Sequence, residues 1–147
     1  MEKQASVWKM IKSDHWTFQF FVYWVIFFGG FGYSFLTNSG GEIKSYSALV
    51  VIILLMVLPF FGFILRVRRI KSIFEDGNRN TAVVNKVHFY RWKGTVTYMF
   101  DYHGEQIQVK NFVIKNGTTR ELTPGQTVVI YHSTENPKSA VIESLFR

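Results

Sequence analysis

The chain contains no cysteine and only 3 prolines among its 147 residues. Without cysteine there is no disulfide scaffold, no thiolate-ligated zinc and no thiol nucleophile. Charge is missing where its absence says most: residues 17–36 hold no ionised side chain, and neither do residues 45–65. A helix needs about 20 apolar residues to cross a hydrocarbon core roughly 30 Å thick. The two charge-free stretches therefore predict a two-helix transmembrane hairpin, with spans over about 17–36 and 47–65 in a membrane segment 17–76. Neither stretch offers a buried ionisable group, the usual mark of an ion or proton path, which disfavours a transporter or charge-selective pore.

Aromatic residues are abundant, with 15 Phe, 7 Tyr and 4 Trp. Phe20, Phe21, Tyr23, Trp24, Phe27 and Phe28 crowd the first apolar stretch, interrupted by Gly29, Gly30 and Gly32. Gly30 and Ser34 form a small-xxx-small pair, which lets a second helix approach, from this chain or from another copy. The second stretch is aliphatic and carries Pro59. Between the two, Asn38-Ser39-Gly40-Gly41 forms a turn too short to be a domain. Residues 1–16 read as an interfacial helix: Val7, Trp8, Ile11 and His15 fall at helical spacing, and Trp8 and Trp16 suit a headgroup layer.

The net charge is +7, and 13 of the 17 basic residues lie from Arg66 onward against 7 of the 10 acidic ones. Arg66, Arg68, Arg69 and Lys71 directly follow the second apolar stretch and read as membrane-surface residues facing anionic headgroups. The same asymmetry predicts a multi-pass protein of the inner (cytoplasmic) membrane with both termini cytoplasmic. Because the basic cluster abuts an apolar stretch, the expected partner is a lipid bilayer rather than a nucleic acid. A protein partner or a second copy of the chain is expected beside it.

Past the apolar stretch the helix continues, with Val67, Ile70 and Phe74 forming a stripe, and Glu75-Asp76-Gly77-Asn78 stops it. From Asn80 the period changes to two. Val96, Tyr98 and Phe100 alternate with Thr95, Thr97 and Met99, and His103-Gly104 is a turn. Parity shifts near Lys110-Asn111, which predicts a bulge. Strands 127–132 and 139–146 complete five. Residues 78–147 are thus expected to form a cytoplasmic β domain, either a five-stranded OB- or SH3-like barrel or an open meander. The fold class expected for the whole is an α+β membrane protein: a transmembrane hairpin followed by a small antiparallel β domain.

The cadence of the second half is distinctive. Ala82, Val83 and Val84 open it, Val96, Tyr98 and Phe100 follow, then Leu122-Thr-Pro-Gly-Gln-Thr-Val-Val-Ile-Tyr131, and finally Asn136-Pro137-Lys-Ser-Ala140. This resembles a bacterial family of uncharacterised membrane proteins, a domain of unknown function in which hydrophobic spans accompany a small β domain. The family shares a Gly-x-x-Val-x-Val-x-Tyr run followed by Asn-Pro. The resemblance covers residues 80–146 and implies a fold and a topology, with no activity attached. In physical terms, Pro124-Gly125 suits the centre of a type II turn and Asn136-Pro137 turns the chain into its last strand.

No catalytic constellation emerges. His15, His88, His103 and His132 share no metal-binding spacing, and Asp101, His103 and His132 are the nearest to a ligand set, short of the ligands a metal needs. There is no phosphate loop and no nucleophile elbow, so no cofactor is expected. Arg91-Trp92-Lys93 at a hairpin tip and Tyr131 are candidate ligand- or partner-binding residues. The expected function is a membrane-anchored, non-enzymatic interaction protein whose β domain docks on a partner or modulates a membrane complex. The alternative is a ligand-sensing effector whose β domain binds a small anionic signal and whose spans oligomerise.

Overall fold

A computed structural model describes residues 5–36 and 46–147, apart from the side chains of 31, 32, 34–36, 46–52 and 56. The helices α1 (Val7–Ser13), α2 (His15–Leu36) and α3 (Tyr46–Asp76) precede β1 (Asn78–Tyr90), β2 (Lys93–Tyr102) and β3 (Glu105–Ile114). After them come α4 (Gly117–Arg120), β4 (Thr127–His132), β5 (Ala140–Ile142) and α5 (Glu143–Phe146). The expected loop around 38–41 lies outside the described residues.

The strands form one antiparallel sheet in the order β3-β2-β1-β4-β5. β1 is long enough to serve two partners. Its first half pairs with β4, from Asn78↔His132 to Val83↔Thr127, and its second half runs along β2 to Tyr90↔Lys93. The register shifts between Val84 and Lys86. There the Val84 amide donates to Gln126 O at 2.9 Å and the Gly125 amide donates to Val84 O at 2.7 Å. Such an irregularity bends a strand and sharpens its twist. The resulting curl brings the two edge strands together. Asn111 Nδ2 on β3 donates to Ala140 O on β5 at 3.2 Å and to the Tyr98 hydroxyl at 3.1 Å. The sheet is a half-barrel whose edges meet through a side chain, not a closed OB- or SH3-like barrel.

The bulge expected at Lys110-Asn111 is absent: β2 and β3 pair without a break from Lys93↔Ile114 to Tyr102↔Glu105. The parity shift has another cause. Val109, Asn111 and Val113 share the inner face, so a polar residue occupies a core position, while Phe112 faces out. The Pro124-Gly125 turn forms as the sequence suggests, with Gly125 at φ +85° and Gln126 N donating to Thr123 O at 3.2 Å.

The concave face is filled by helices. Ile70, Ile73 and Phe74 of α3 are buried among Val84, Tyr98, Ile130 and Ile142, and Val67 packs at the rim. The stripe after the apolar stretch therefore rests on the β domain. Helix α1 joins the same core: Met10 is fully buried, whereas Trp8 is 59 % exposed. The face of α1 that decides its position is Met10, Ile11 and Ser13, not the Trp8-bearing face.

Helices α2 and α3 pack side by side in antiparallel register, with Phe21 against Phe63 at 6.1 Å and Trp24 against Phe60 at 5.7 Å. The close approach falls at Gly62, where a β-carbon would stand 2.9 Å from the Phe20 ring. At Gly30 no described residue comes within 4 Å of a β-carbon position, and the Ser34 side chain, the other member of the expected pair, lies outside the described residues.

The expected transmembrane hairpin needs correction. Among the described residues, no helix is long and apolar enough to cross a membrane. The multi-pass inner-membrane placement with both termini cytoplasmic rested on two crossings and is not supported by these helices.

Candidate functional site

The joint between the helices and the sheet is built on Asp14. It separates α1 from α2 in an extended conformation, φ −91° and ψ 120°, and its backbone bridges Val113 of β3. Its carboxylate is almost wholly buried and fully used. Oδ2 accepts from Thr17 N at 2.8 Å and Thr17 Oγ1 at 2.8 Å, capping α2, and from Arg66 Nε at 3.1 Å. Oδ1 accepts from Arg66 Nη2 at 2.7 Å. This two-point carboxylate–guanidinium pair fixes orientation as well as charge. Arg66, expected to face a membrane surface, instead ties α3 to the start of α2.

Beside this pair lies a cleft of about 180 Å³, between the end of the α3 apolar run and the two sheet edges. Arg69, Lys110, Lys138 and Ser139 supply its polar wall, and Trp16 and Phe112 flank it, their rings 6.4 Å apart. No Asp or Glu lines it. Arg69 Nη2 donates to Ser139 Oγ at 3.0 Å, and Lys110 Nζ stands 5.4 Å from the centre of the Phe112 ring. Among the described residues none of Arg69, Lys110 and Lys138 has a carboxylate partner. The Asn136-Pro137 turn presents Lys138 and Ser139: Asn136 Oδ1 accepts from Lys138 N at 3.1 Å, and Asn136 O accepts from Ser139 N at 2.8 Å. No histidine stands beside Ser139 in the lining, so the arrangement suits holding an anion better than activating a nucleophile.

The expected binding residues are dispersed. Arg91 sits at the β1–β2 tip with φ 55°, its guanidinium 5.4 Å from the Tyr90 ring. Trp92 turns back onto α2, against His15 at 5.3 Å and Phe18 at 6.0 Å, and Lys93 opens β2. Tyr131 is a core residue, 4.9 Å from Phe74. Trp8 is exposed beneath Lys12, Arg68 is exposed, and Lys71 is half-buried. Of the residues expected at a membrane surface, the cleft gathers Trp16, Arg66 and Arg69. It adds Lys110, Phe112, Lys138 and Ser139, which sequence reasoning passed over; the parity break at Lys110-Asn111 was the one sign. Among the described residues no group of three or more His, Asp or Glu could hold a metal ion. His103 lies at a turn, whereas His132 is buried against Phe100 and Tyr102.

His15 occupies the same joint, between Trp16 and Trp92, and its Nδ1 is buried with no hydrogen-bond partner among the described residues. Burial lowers its pKa, Lys93 lowers it further, and Asp14 opposes both. Below the ordinary histidine value of about 6.5 the unfolded chain takes up a proton that the folded chain resists, so stability falls as pH falls. Unfolding midpoints at pH 7.5 and pH 5 are expected to differ less in His15→Phe than in the parent. An equal loss in both would mean that His15 protonates freely in the fold.

No family model, curated protein or solved structure matches this chain.

Proposed function

We propose that the protein is a non-enzymatic interaction module whose α2–α3 pair lodges in a lipid phase and holds the β domain at its surface, where it docks on a partner. One observation carries this reading: large apolar side chains are exposed on nearly every side of the helix pair. Ile53, Leu54 and Leu55 are consecutive and are 50 %, 49 % and 44 % exposed, and Leu58, Phe61 and Leu65 are 62 %, 58 % and 63 % exposed. Successive helical residues point about 100° apart, so three in a row cover most of the circumference left free by α2. A protein partner docking on one face would call for a stripe; apolar surface all round calls for a surrounding apolar medium. The cations that begin at Arg66 mark where that surface ends. The reading requires contact with lipid and not a crossing.

Flotation of the full chain, diluted out of detergent, with uncharged phosphatidylcholine vesicles tests it. Most of the protein is expected to float, and Leu58→Glu/Phe61→Glu is expected to stay behind. A chain that remains monodisperse in aqueous buffer and does not float would overturn the reading.

A further inference from the structure

We infer that the cleft between α3 and the sheet edges is a binding site for a phosphoryl group, a phosphate monoester or diester. This deepens the proposed function by naming the chemistry that the β domain would meet at the lipid surface, and it rests on that reading only for the source of the group.

Three observations converge. The first is unbalanced charge. Arg66 is neutralised by Asp14, but Arg69, Lys110 and Lys138 converge from three separate elements on one concavity that holds no carboxylate. Bringing like charges together is unfavourable unless an anion offsets them, and an oxyanion with several acceptor oxygens does so best. The second is construction. Asn111 closes the half-barrel directly behind the cleft, the Asx turn of Asn136 fixes the backbone at Lys138 and Ser139, and Arg69 donates to Ser139. The fold thus sets the backbone that carries the polar wall, and the Arg69, Lys110 and Lys138 side chains stand exposed on it. Ser139 Oγ, which accepts from Arg69, retains its own proton to donate to a phosphoryl oxygen. The third is size and placement. About 180 Å³ is the room of about six waters, enough for a phosphoryl group and part of what it is attached to. The cleft also opens where the exposed apolar surface stops, with Trp16 and Phe112 at its mouth. A phosphodiester headgroup would enter with its acyl chains along α2 and α3. A free phosphate ester would enter from water.

The test uses the full chain in an uncharged detergent, titrated calorimetrically at fixed ionic strength with inorganic phosphate and, separately, with lysophosphatidate. Binding of at least one is expected. Lys110→Gln/Lys138→Gln is expected to weaken it at least tenfold, while Arg120→Gln, at an exposed position of α4, leaves it unchanged. Both positions are solvent-facing, and an unchanged melting curve for the double variant separates lost binding from lost fold. Binding of both probes assigns the site to phosphoryl groups in general. Binding of lysophosphatidate alone, lost in the double variant, assigns it to a lipid headgroup. No binding of either probe at millimolar concentration overturns the inference, as does binding that Arg120→Gln weakens equally. Flotation on uncharged vesicles is scored independently. Intact flotation without phosphate binding removes the site and leaves the lipid reading; phosphate binding without flotation does the reverse.

Discussion

Asp14→Ala is expected to lower the unfolding free energy by about 3 kcal/mol, measured by denaturant titration of the full chain in uncharged detergent. Removing one member of a buried ion pair costs about 3–5 kcal/mol because the survivor is left buried and unpaired. Here the Arg66 side chain is 29 % exposed against 4 % for Asp14, so part of its charge can be rehydrated and the effect falls at the lower end. The helix cap adds to the loss, since the Thr17 amide and hydroxyl both donate to the carboxylate at 2.8 Å. A lost N-cap is worth about 1 kcal/mol. Asp14→Asn keeps an accepting oxygen for the cap and gives up the charge, so it should fall between Asp14→Ala and the parent. Arg66→Met leaves Asp14 with its two Thr17 donors and no counterion. A double-mutant cycle between the two positions is expected to show a coupling above about 1 kcal/mol, the range for groups in one network. If Asp14→Ala changed stability by less than about 0.5 kcal/mol, the carboxylate would have to be solvated. In that case α2 would not be docked on β3 and α3 as described.

The pair also shows what the sequence could convey about the joint. Arg66 is the first cation after a long apolar stretch, and local context alone makes it a surface residue. Its partner lies 52 positions earlier, so only the folded chain reveals the pairing. The cleft is hidden for the same reason: Arg69, Lys110 and Lys138 come from a helix, a strand and a turn, and no spacing rule connects them. What local pattern dictates was legible. Strand β2 alternates because Val96, Tyr98 and Phe100 all face one core, and the turns at His103-Gly104 and Pro124-Gly125 follow from left-handed backbone at Gly104 and Gly125. Pattern misleads where a polar group is buried for a reason of its own. Asn111 faces inward to bind Tyr98 and Ala140, so its strand reads as out of step and a bulge is placed there. The real irregularity, after Val84, hides in a run whose Val83 is 49 % exposed and resembles core. In α1 the bulk of Trp8 draws attention, yet Met10 makes the contact. The sequence pattern extends the last strand through residues 143–146. Its Leu145 and Phe146 are as buried as strand residues would be, but they get there from a single helical turn.

Gly77→Ala is expected to cost about 3 kcal/mol. This glycine ends α3 and leads into β1, and its amide donates to Ile73 O at 3.1 Å. A β-carbon there would collide with that same oxygen and stand 2.7 Å from the carbonyl oxygen of His132 on β4. Neither obstacle is the end of a flexible side chain. One belongs to the last turn of α3, the other to the strand residue that pairs with Asn78. Relief requires either breaking the helix-ending hydrogen bond or prying the start of β1 from β4. Overpacking of this kind costs about 1–3 kcal/mol, and rigid backbone on both sides puts the site at the upper end. Gly29→Ala is the internal control: it lies within α2 with no described residue within 4 Å of a β-carbon, and should be neutral or stabilising by up to about 1 kcal/mol through helix propensity. Equal melting behaviour of the two variants would mean that α3 and β4 do not meet at Gly77. The consequence reaches function, because α3 carries exposed apolar surface at one end and core residues Ile70, Ile73 and Phe74 at the other. A methyl group at its exit loosens the lever at its fulcrum. Gly77→Ala should therefore still float with uncharged vesicles while losing protection of the β1 and β4 amides from hydrogen exchange.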